Sequence, residues 1–463
     1  MQTPLFHIVN MKRILSLCLF LALVVTLQAK KKQQPAPATW PDGTRMEAWF
    51  MDTTRVDVSQ LGRQFVVSDY GVRADDSLSV QTKALQHVID LAAEQGGGVV
   101  VIPQGVFLSG ALHFRQGTHL WLQEGARLKG SERIEDFPVC MTRIEGQSCR
   151  YFPALVNADG LDGFTILGPG TIDGNGRHYW REFWIRREWN PQCTNKDAQR
   201  PRLVFISNSK NVTVQGVRTI NSPFWTNHLY RCERVRYVDC YIYAPTGGVF
   251  DFAGREHGAP SSDAIDLDVC SDIVVRGCYM NVCDDAVVLK GGKGTWADQM
   301  PENGPCERIL IERCHYGRVH GCLTLGSESL HDRNVILRQC QADDANRVLW
   351  LKMRPDTPQH YEYVSVSDIT GRTGSFLVVR PWTQFFQPED RPDMPLSRCN
   401  NIAMKNIRMK CRNFFDVGTS DKYRLTDFSF ENIDVEDERQ AFNPALFPGI
   451  TVKNVKINGE AKF

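Results

Sequence analysis

VRYVDC (235–240), IVVRGC (273–278), ILIERC (309–314) and VILRQC (335–340) share one pattern that decides the fold. Each begins with an apolar residue, has a second apolar residue two positions on, and ends with a cysteine three positions after that. Alternation of this kind predicts a short β-strand with one buried face. Its recurrence predicts that the same strand is built again and again along the chain.

The pattern continues beyond these four segments, with other apolar residues in the last position. Further copies are NVTVQGV (211–217), YVSVSDI (363–369), NIAMKNI (401–407), DFSFENI (427–433) and GITVKNV (449–455). The nine copies follow one another at intervals of 22 to 38 residues. A short strand with this period is typical of a solenoid whose coils stack at the strand spacing of about 4.8 Å. We therefore predict an all-β, right-handed parallel β-helix.

The cysteines support this interpretation. Fifteen cysteines in an exported chain would ordinarily suggest disulfides. The repeat instead places Cys240, Cys278, Cys314 and Cys340 in one inward-facing position on successive coils, followed by Ile369. Cysteine at such a position behaves as a small buried hydrophobe, so we predict free thiols there. The pairing of three outer cysteines stays open from the sequence: Cys140, Cys149 and Cys193.

A helix is predicted to cap the first coil, because an open coil would expose its core. Residues 79–95 place apolar side chains on one helical face, Ser79 is a candidate N-cap, and Gly96 to Gly98 end the helix. We expect the β-helix to form one domain over residues 43–463.

The N-terminus resembles an export signal. A basic start, Met11-Lys12-Arg13, precedes an apolar run and Gln28-Ala29, which predicts a signal peptide over residues 1–29 that is too short to span a membrane. Cys18 makes a lipid anchor the less favoured alternative, and translation starts at Met1 or Met11. A basic, proline-rich linker is expected over residues 30–42, with a periplasmic or secreted protein after it.

The composition excludes some classes of function. Apolar residues make up 42% of the chain, charged residues 23%, and the net charge is +1. This balance gives no indication of binding to nucleic acid. The sequence does not define an oligomeric state, and a monomer is expected.

Two adjacent acids interrupt one of the strands. Asp284 and Asp285 precede an apolar run, and Asp263 lies 21 residues earlier, close to one coil. The stacking of coils would bring the three carboxylates together, about 5 Å apart. An isolated acid pair is more often a solvated patch or a turn cap. Three acids in register favour a site in which one carboxyl keeps its proton beside ionised partners, as glycoside hydrolysis requires.

The next two coils add a histidine and a lysine. His320 and Lys352 both follow copies of the repeated strand, although a lone histidine or lysine is usually a surface or structural residue. In this register they would lie one and two rungs beyond the acids. The lysine would place a cation beside them, which suits an anionic sugar.

In this setting the chain resembles glycoside hydrolase family 28, the polygalacturonase family. Members carry Asn-Thr-Asp, Asp-Asp, Gly-His-Gly and Arg-Ile-Lys on successive coils. The corresponding residues here are Ser261-Ser262-Asp263, Asp284-Asp285, Val319-His320-Gly321 and Trp350-Leu351-Lys352. Ser222 to Trp225 and Gly326 to Glu328 also resemble family landmarks. Each motif alone is weak, whereas four in order on a β-helix are specific.

The resemblance implies roles for these residues and no metal or organic cofactor. It implies that Asp284 is the general acid, that Asp263 and Asp285 activate a water with inversion at the sugar carbon, and that His320 orients the acid. Lys352 would bind a galacturonate carboxylate. The implied substrate is a pectic polysaccharide, either polygalacturonan or rhamnogalacturonan fragments.

The sequence departs from the family at one important position. Trp350 replaces an arginine that clamps the uronate, and a ring cannot make a bidentate contact with a carboxylate. Arg347 or Arg354 is a candidate replacement, and Trp225 and Arg380 are further candidates for the cleft. Three insertions flank the acids and favour exo-action by closing one end of the cleft: residues 181–202, 247–258 and 290–304.

Two other classes stay open. A β-helix polysaccharide lyase would use the aspartates to hold calcium and a base such as Lys290 or Lys293. A non-catalytic pectin-binding β-helix would tolerate substitution of the acids. The exact linkage and the choice between endo- and exo-action are not readable from the sequence.

Overall fold

The repeated strands stack in parallel in the computed structural model, which describes residues 38–76, 79–384, 386 and 389–462. The predicted signal peptide and most of the linker lie outside the described residues. The described chain from Trp40 onward forms one compact unit. Trp40 is buried, and Asp42 accepts hydrogen bonds from Asn334 and Arg333. Packing therefore begins three residues before the predicted start at 43.

Three parallel sheets form the walls of a right-handed β-helix, as predicted. Sheet A contains β1 (Gln64–Val66), β2 (Gly98–Ile102), β5 (Thr118–Leu122), β10 (Thr165–Leu167), β13 (Lys210–Gln215), β16 (Glu233–Val238), β21 (Ser271–Arg276), β24 (Pro305–Glu312) and β31 (Thr451–Ile457), with antiparallel β32 (Glu460–Ala461) at its end. Sheet B contains β3 (Gly105–Ser109), β6 (Ala126–Gly130), β11 (Thr171–Asp173), β14 (Arg218–Ile220), β17 (Tyr241–Tyr243), β22 (Tyr279–Asn281) and β25 (His315–Tyr316). Sheet C contains β4 (Leu112–His113), β9 (Val156–Asp159), β12 (Val204–Ser207), β15 (Asn227–Tyr230), β20 (Ile265–Asp268), β23 (Val287–Lys290) and β26 (Leu323–Leu325).

Later coils turn their corners without a break in the strand. These long strands are β27 (His331–Met353), β28 (His360–Pro381), β29 (Ser397–Val417) and β30 (Tyr423–Asp437). The first three pass through all three sheets, so Trp350 and Lys352 of β27 belong to sheet C. The sheet that carries the candidate site is therefore continuous from β4 to β29.

The corners explain why the repeat has its form. In the repeated strand the residue before the third apolar position has a positive φ: 52° at Asp239, 66° at Gly277 and 54° at Asn406. Gly, Asn and Asp tolerate this left-handed conformation best. A Cβ at Gly277 would also lie 2.3 Å from an oxygen of Asp239 on the neighbouring coil. The turn directs the next side chain inward.

The predicted cysteine ladder is confirmed. Cys240, Cys278, Cys314 and Cys340 are all buried, and Cys340 pairs in register with Ile369. The backbone N–H of Cys314 donates to the Cys340 sulfur at 3.4 Å. Every described cysteine is a free thiol, including the three outer cysteines whose pairing the sequence left open.

Helices and hairpins lie outside the coil. They are α1 (Ala48–Met51), α2 (Thr82–Glu94), α3 (Arg177–Trp189), the antiparallel pair β7 (Cys140–Ile144) and β8 (Gln147–Tyr151), the antiparallel pair β18 (Val249–Phe250) and β19 (Glu256–His257), and five 3-10 turns at Val58–Leu61, Val67–Tyr70, Ile134–Asp136, Ala297–Gln299 and Pro444–Leu446. Helix α2 caps the first coil with Leu85, Val88 and Ile89, as expected. The predicted Ser79 cap is wrong: the N-cap is Gln81, and the Ser79 N–H bonds instead to Asp76.

In the described part of the chain, no helix has both the length and the apolar character needed to cross a membrane.

Candidate active site

Sheet C brings the predicted acids together. Asp263 precedes β20, and Asp284 and Asp285 precede β23. The following residues stack in register, since Ile265 pairs with Val287. Consequently Asp263 shares its position on the coil with Asp285. The backbone N–H of Ala264, which follows Asp263, donates to the carbonyl oxygen of Asp285. One carboxylate oxygen from each of the three aspartates lies within 4.8 Å of the others.

The three acids differ in exposure. Asp263 and Asp285 are buried, whereas the side chain of Asp284 is 27% exposed and faces the cavity. Burial raises the pKa of Asp263 well above its usual value, and repulsion from Asp284 and Asp266 adds to this effect. In the substrate-free protein, a proton held within this group of acids is therefore most favourable on Asp263.

His320 lies beside Asp284, as the register predicts. Its Nδ1 atom is 3.2 Å from Oδ1 of Asp284. Burial alone would raise the pKa of Asp284, but His320 and the lysines Lys352 and Lys290 outweigh it and hold that pKa at about 2. Burial would lower the pKa of His320, but Asp284 reverses the effect and raises it. The pair is thus an imidazolium beside a carboxylate.

Two lysines lie behind the acids, and both are paired. Lys352 Nζ donates to Oδ2 of Asp285 at 2.7 Å. Lys290 Nζ lies 3.4 Å from Glu328 and 3.5 Å from Asp266, over the ring of Trp225 at 4.6 Å. Burial would lower the pKa of Lys290, yet Glu328 and Asp266 raise it above its usual value. Both cations therefore balance buried carboxylates of the protein itself.

Trp350, which stands where the family has arginine, has cations against its ring. The guanidinium carbon of Arg347 is 3.8 Å and Nζ of Lys352 is 4.1 Å from the ring centroid. Trp382 meets it edge to face at 5.4 Å. Arg347 donates to the carbonyl oxygen of His320 and forms no ion pair with any residue in the described ranges.

The two remaining candidate arginines are bound elsewhere. Arg354 is buried and makes a bidentate pair with Asp356. Arg380 is exposed and pairs with Asp416 on the next coil. Neither lines the cavity that contains the acids, and Arg347 lies behind that lining, against the ring of Trp350.

That cavity has a volume of about 230 Å³. Its lining residues are Glu145, Asn195, Trp225, Ser261, Asp263, Asp284, Asp285, Lys290, His320, Ser327, Glu328, Trp350, Lys352, Trp382 and Gln384. Glu145 lies at the tip of the β7–β8 hairpin and accepts a hydrogen bond from Asn195 of the 181–202 insertion at 2.8 Å. The hairpin tip and the insertion thus close over sheet C.

Some of these residues were not predicted. Glu145, Gln384 and Asn195 reach the cavity from loops outside the repeat, and no periodicity of the sequence indicates where such loops fold. Asp266, buried beneath the acids, accepts no hydrogen bond from the residues that the structure describes. Its spacing of three residues from Asp263 was the available signal for it.

Comparison with known proteins agrees with this geometry. A family model described as glycosyl hydrolases family 28 matches residues 99–352, which include all three aspartates, His320 and Lys352. The chain belongs to this family. Its relatives include a probable polygalacturonase of Vitis vinifera, 25% identical over 248 residues, and a probable exopolygalacturonase B of Aspergillus flavus, 23% identical over 283 residues.

The matches are partial in sequence and broader in fold. The Vitis alignment covers 51% of this chain and 46% of the relative, and the Aspergillus alignment covers 58% and 53%. The chain thus spans about half the length of these relatives. The crystal structure of a hyperthermoactive exopolygalacturonase from Thermotoga maritima shares the fold, with a TM-score of 0.66 at 22% identity over 86% of this chain and 92% of that one.

Proposed function

We propose that this protein hydrolyses bonds of α-linked galacturonic acid in pectic polysaccharide. The observation that carries the proposal is the group of Asp263, Asp284 and Asp285, held within 4.8 Å on adjacent coils of a family 28 fold. The names of the relatives, polygalacturonase and exopolygalacturonase, support the same substrate class.

In the proposed reaction Asp284 is the general acid. It gives its proton to the glycosidic oxygen as the bond from that oxygen to the sugar carbon breaks. A water held by Asp263 and Asp285 attacks the same carbon and loses a proton to Asp285, the carboxylate that is paired with Lys352. The exposed edge of Asp284 suits contact with a leaving group, and the burial of the other two suits a held water.

The proton must reach Asp284, although its pKa is about 2 in the substrate-free protein. His320 stores a proton 3.2 Å away. A bound sugar would remove water from Asp284, and loss of solvation favours the neutral acid. Substrate binding therefore draws the proton from the imidazolium to the carboxylate. His320 acts on the bond through Asp284 and is a positioning residue.

Inversion at the sugar carbon is part of the proposal and rests on the family resemblance. The oxygen separations of at most 4.8 Å are shorter than the ~6.5–9.5 Å between carboxyl groups of most inverting enzymes and closer to the ~5–5.5 Å of retaining ones. Proton NMR of the first product decides the point: a β-configured reducing sugar from an α-linked substrate supports inversion, and an α-configured one overturns it.

Recognition of the uronate is assigned chiefly to Arg347. Lys352 is bonded to Asp285, whereas the guanidinium of Arg347 has no carboxylate partner among the described residues and lies against Trp350. Guanidinium groups bind carboxylates bidentately. Lys352, although it is bonded to Asp285, adds positive charge beside the same subsite. Trp350 holds both cations in place.

Exo-action is the preferred mode. The small cavity closed by Glu145 and Asn195 suits a chain end better than the middle of a polymer. Sizing of early products from polygalacturonate tests this: monomers from the start support exo-action, and a ladder of oligomers contradicts it.

The lyase alternative needs a neutral base and a calcium ion. Lys290 is held as a cation chiefly by Glu328, and Lys352 Nζ occupies one oxygen of Asp285. Both arrangements favour hydrolysis.

The test is incubation with polygalacturonate and rhamnogalacturonan fragments, with and without chelator. New reducing ends without ultraviolet absorbance from an unsaturated sugar support the proposal. Absorbance that chelator abolishes indicates the lyase, and binding without cleavage indicates a pectin-binding protein.

Export as a periplasmic or secreted monomer remains part of the proposal. Export would be supported by finding, in a periplasmic or culture fraction, a protein whose N-terminus shows cleavage after Ala29.

A further inference from the structure

Two aromatic rings stand exposed on the insertions beside the site. Trp189, the last residue of α3, is 77% exposed, and Phe252 of the β18–β19 hairpin is 61% exposed. Their ring planes are within 23° of parallel, with centroids 6.1 Å apart. Neighbouring exposed apolar groups that form a patch often mark a binding site. We call Trp189, Phe252 and the neighbouring Arg181 the aromatic platform.

The aromatic platform is held in place by hydrogen bonds. The backbone N–H of Phe252 donates to Glu188 of α3 at 3.0 Å, which ties the hairpin to the helix. Within the hairpin, Asp251 accepts from Arg255 at 2.7 Å. Trp184 of the helix stacks on His257 of the hairpin with centroids 4.2 Å apart. The rings are therefore presented by a braced surface, which limits the entropy that a ligand must remove.

The cations at this surface differ from those in the cavity. Arg181 lies 6.0 Å above the ring of Phe252, and Arg186 is exposed on the same helix. Across the described ranges, neither arginine forms an ion pair. In the cavity, by contrast, Lys290 and Lys352 are both paired with carboxylates. Unpaired guanidinium groups beside exposed rings suit a ligand that offers both sugar faces and carboxylates.

The elements that carry the aromatic platform are connected to the cavity through a short segment of chain. Trp184 donates from its ring N–H to the carbonyl oxygen of Gly258 at 2.9 Å. Three residues on, Ser261 donates to Asn195 at 3.0 Å, and both of these line the cavity. Asp263 follows two residues later. A single short segment thus joins the aromatic platform to the acids.

We propose that the aromatic platform binds a second segment of a galacturonate-rich chain, outside the cavity. Sugar rings would stack on Trp189 and Phe252 while Arg181 pairs with a uronate carboxylate. The cavity of about 230 Å³ holds only the reacting part of a polymer, so the rest of the polymer would bind to another part of the surface. The inference rests on the proposed pectic substrate, and it assigns long, acidic chains as the preferred form.

Affinity electrophoresis tests binding independently of catalysis. Native protein migrates through gels that contain polygalacturonate or neutral dextran. The Asp284→Asn protein, with its site intact in shape, is run in both, alone and combined with Trp189→Ala and Phe252→Ala. Met51→Ala, a change of an exposed apolar residue on α1, is the matched control. Size-exclusion chromatography and thermal unfolding of each variant report assembly and folding.

We expect polygalacturonate, but not dextran, to retard the Asp284→Asn protein and the Met51→Ala control. Loss of both rings should weaken the interaction about tenfold. Arg181→Gln, which keeps both rings, should weaken it by a smaller factor. Equal retardation with and without the rings, equal retardation by dextran, or a change of oligomeric state in the ring variants would each overturn the inference. Wild-type protein that binds through the rings but releases no sugar would contradict the proposed hydrolysis alone.

Discussion

The two faces of sheet C carry opposite kinds of residue on the same strands. On the inner face Ile265, Val287 and Leu323 stack in register and are fully buried. One residue along, the outer face carries Asp266, which is equally buried, accepts no hydrogen bond from any described residue and lies 3.5 Å from Nζ of Lys290. The inner face stabilises the fold by removing apolar surface from water. The outer face holds a costly acid, and such local conflict is typical of functional sites.

A second contrast lies within the outer face. Asp268 is as buried as Asp266 and two residues away, but Arg143 donates to it at 3.0 Å, whereas Nζ of Lys290 lies 3.5 Å from Asp266. Burial would raise the pKa of Asp268, but the nearby ring of His228 and the charge of Arg143 together lower it. Burial raises the pKa of Asp266 to about 8. Two neighbouring acids of the same burial thus have opposite pKa shifts, and the difference comes from the groups around each of them.

The largest expected effect is on the outer face, at the proposed acid. Asp284→Asn keeps the shape but removes the transferable proton, so kcat should fall about 10²–10⁴-fold. Because the charges around Asp284 hold its pKa at about 2, loss of the carboxylate should also lower the melting temperature, so kcat is compared per folded molecule. Asp332→Asn is the matched control, because Asp332 is a buried acid of raised pKa that does not line the cavity. Near-full activity of Asp284→Asn would disprove the assignment of the acid.

The inner face should show the reverse pattern. Leu267 lies between Asp266 and Asp268 but points into the core. Leu267→Ala should lower the free energy of unfolding by about 2–5 kcal/mol, through lost burial and a residual cavity. Denaturant titration measures this loss, and kcat per folded molecule should remain close to wild type. A loss of kcat comparable to that of Asp284→Asn, without a loss of stability, would contradict the division between the faces.

This division also explains what the sequence predicts. The inner face is a repeat: Cys240, Cys278, Cys314 and Cys340 recur at a fixed position, so the coil and its register follow from periodicity alone. The proposed catalytic acids follow from the same register, because stacking carries Asp263 to Asp285. Each of these inferences uses a spacing that the chain repeats many times.

The parts that the sequence did not predict depend on single contacts. Lys352 is bonded to Asp285, whereas Arg347 has no carboxylate partner among the described residues. The directions of the side chains in three dimensions decide this difference. Glu145 reaches the site from a hairpin more than a hundred residues before Asp263. Such loops have no period, and their placement depends on contacts distant in sequence.

The third prediction sharpens the contrast between Asp266 and Asp268. With a native pKa of about 8, Asp266 keeps a proton that the unfolded chain has lost above about pH 4. Stability from this group is therefore lost as pH rises, by about 1.4 kcal/mol per pH unit between these values. Asp266→Asn should remove that slope between pH 5 and 7, as measured by denaturant titration.

Asp268→Asn is the paired comparison. Its native pKa is lowered, so its contribution is present above the unfolded pKa and is lost only as pH falls through the native value. Between pH 5 and 7 the slope for Asp268→Asn should match that of wild type. Equal slopes for all three proteins would show that Asp266 is ionised in the fold.

The smallest expected effect concerns the proton store at His320. Because Asp284 raises the pKa of His320, the imidazolium contributes stability that is complete at low pH and is lost as pH rises through the raised value. The same titration removes the proton that Asp284 needs, so kcat/KM should fall on the alkaline side.

In His320→Gln the nearest proton-holding group is Asp284 itself, whose pKa rises once the imidazolium charge is gone but stays below that of histidine. The alkaline limb of the pH–rate profile should therefore move to lower pH by about one unit or more. A glutamine still donates a hydrogen bond, so a purely orienting role for His320 would lower kcat and leave the limb in place. An unmoved limb would thus refute the proton store and leave His320 as a hydrogen-bond donor to the acid.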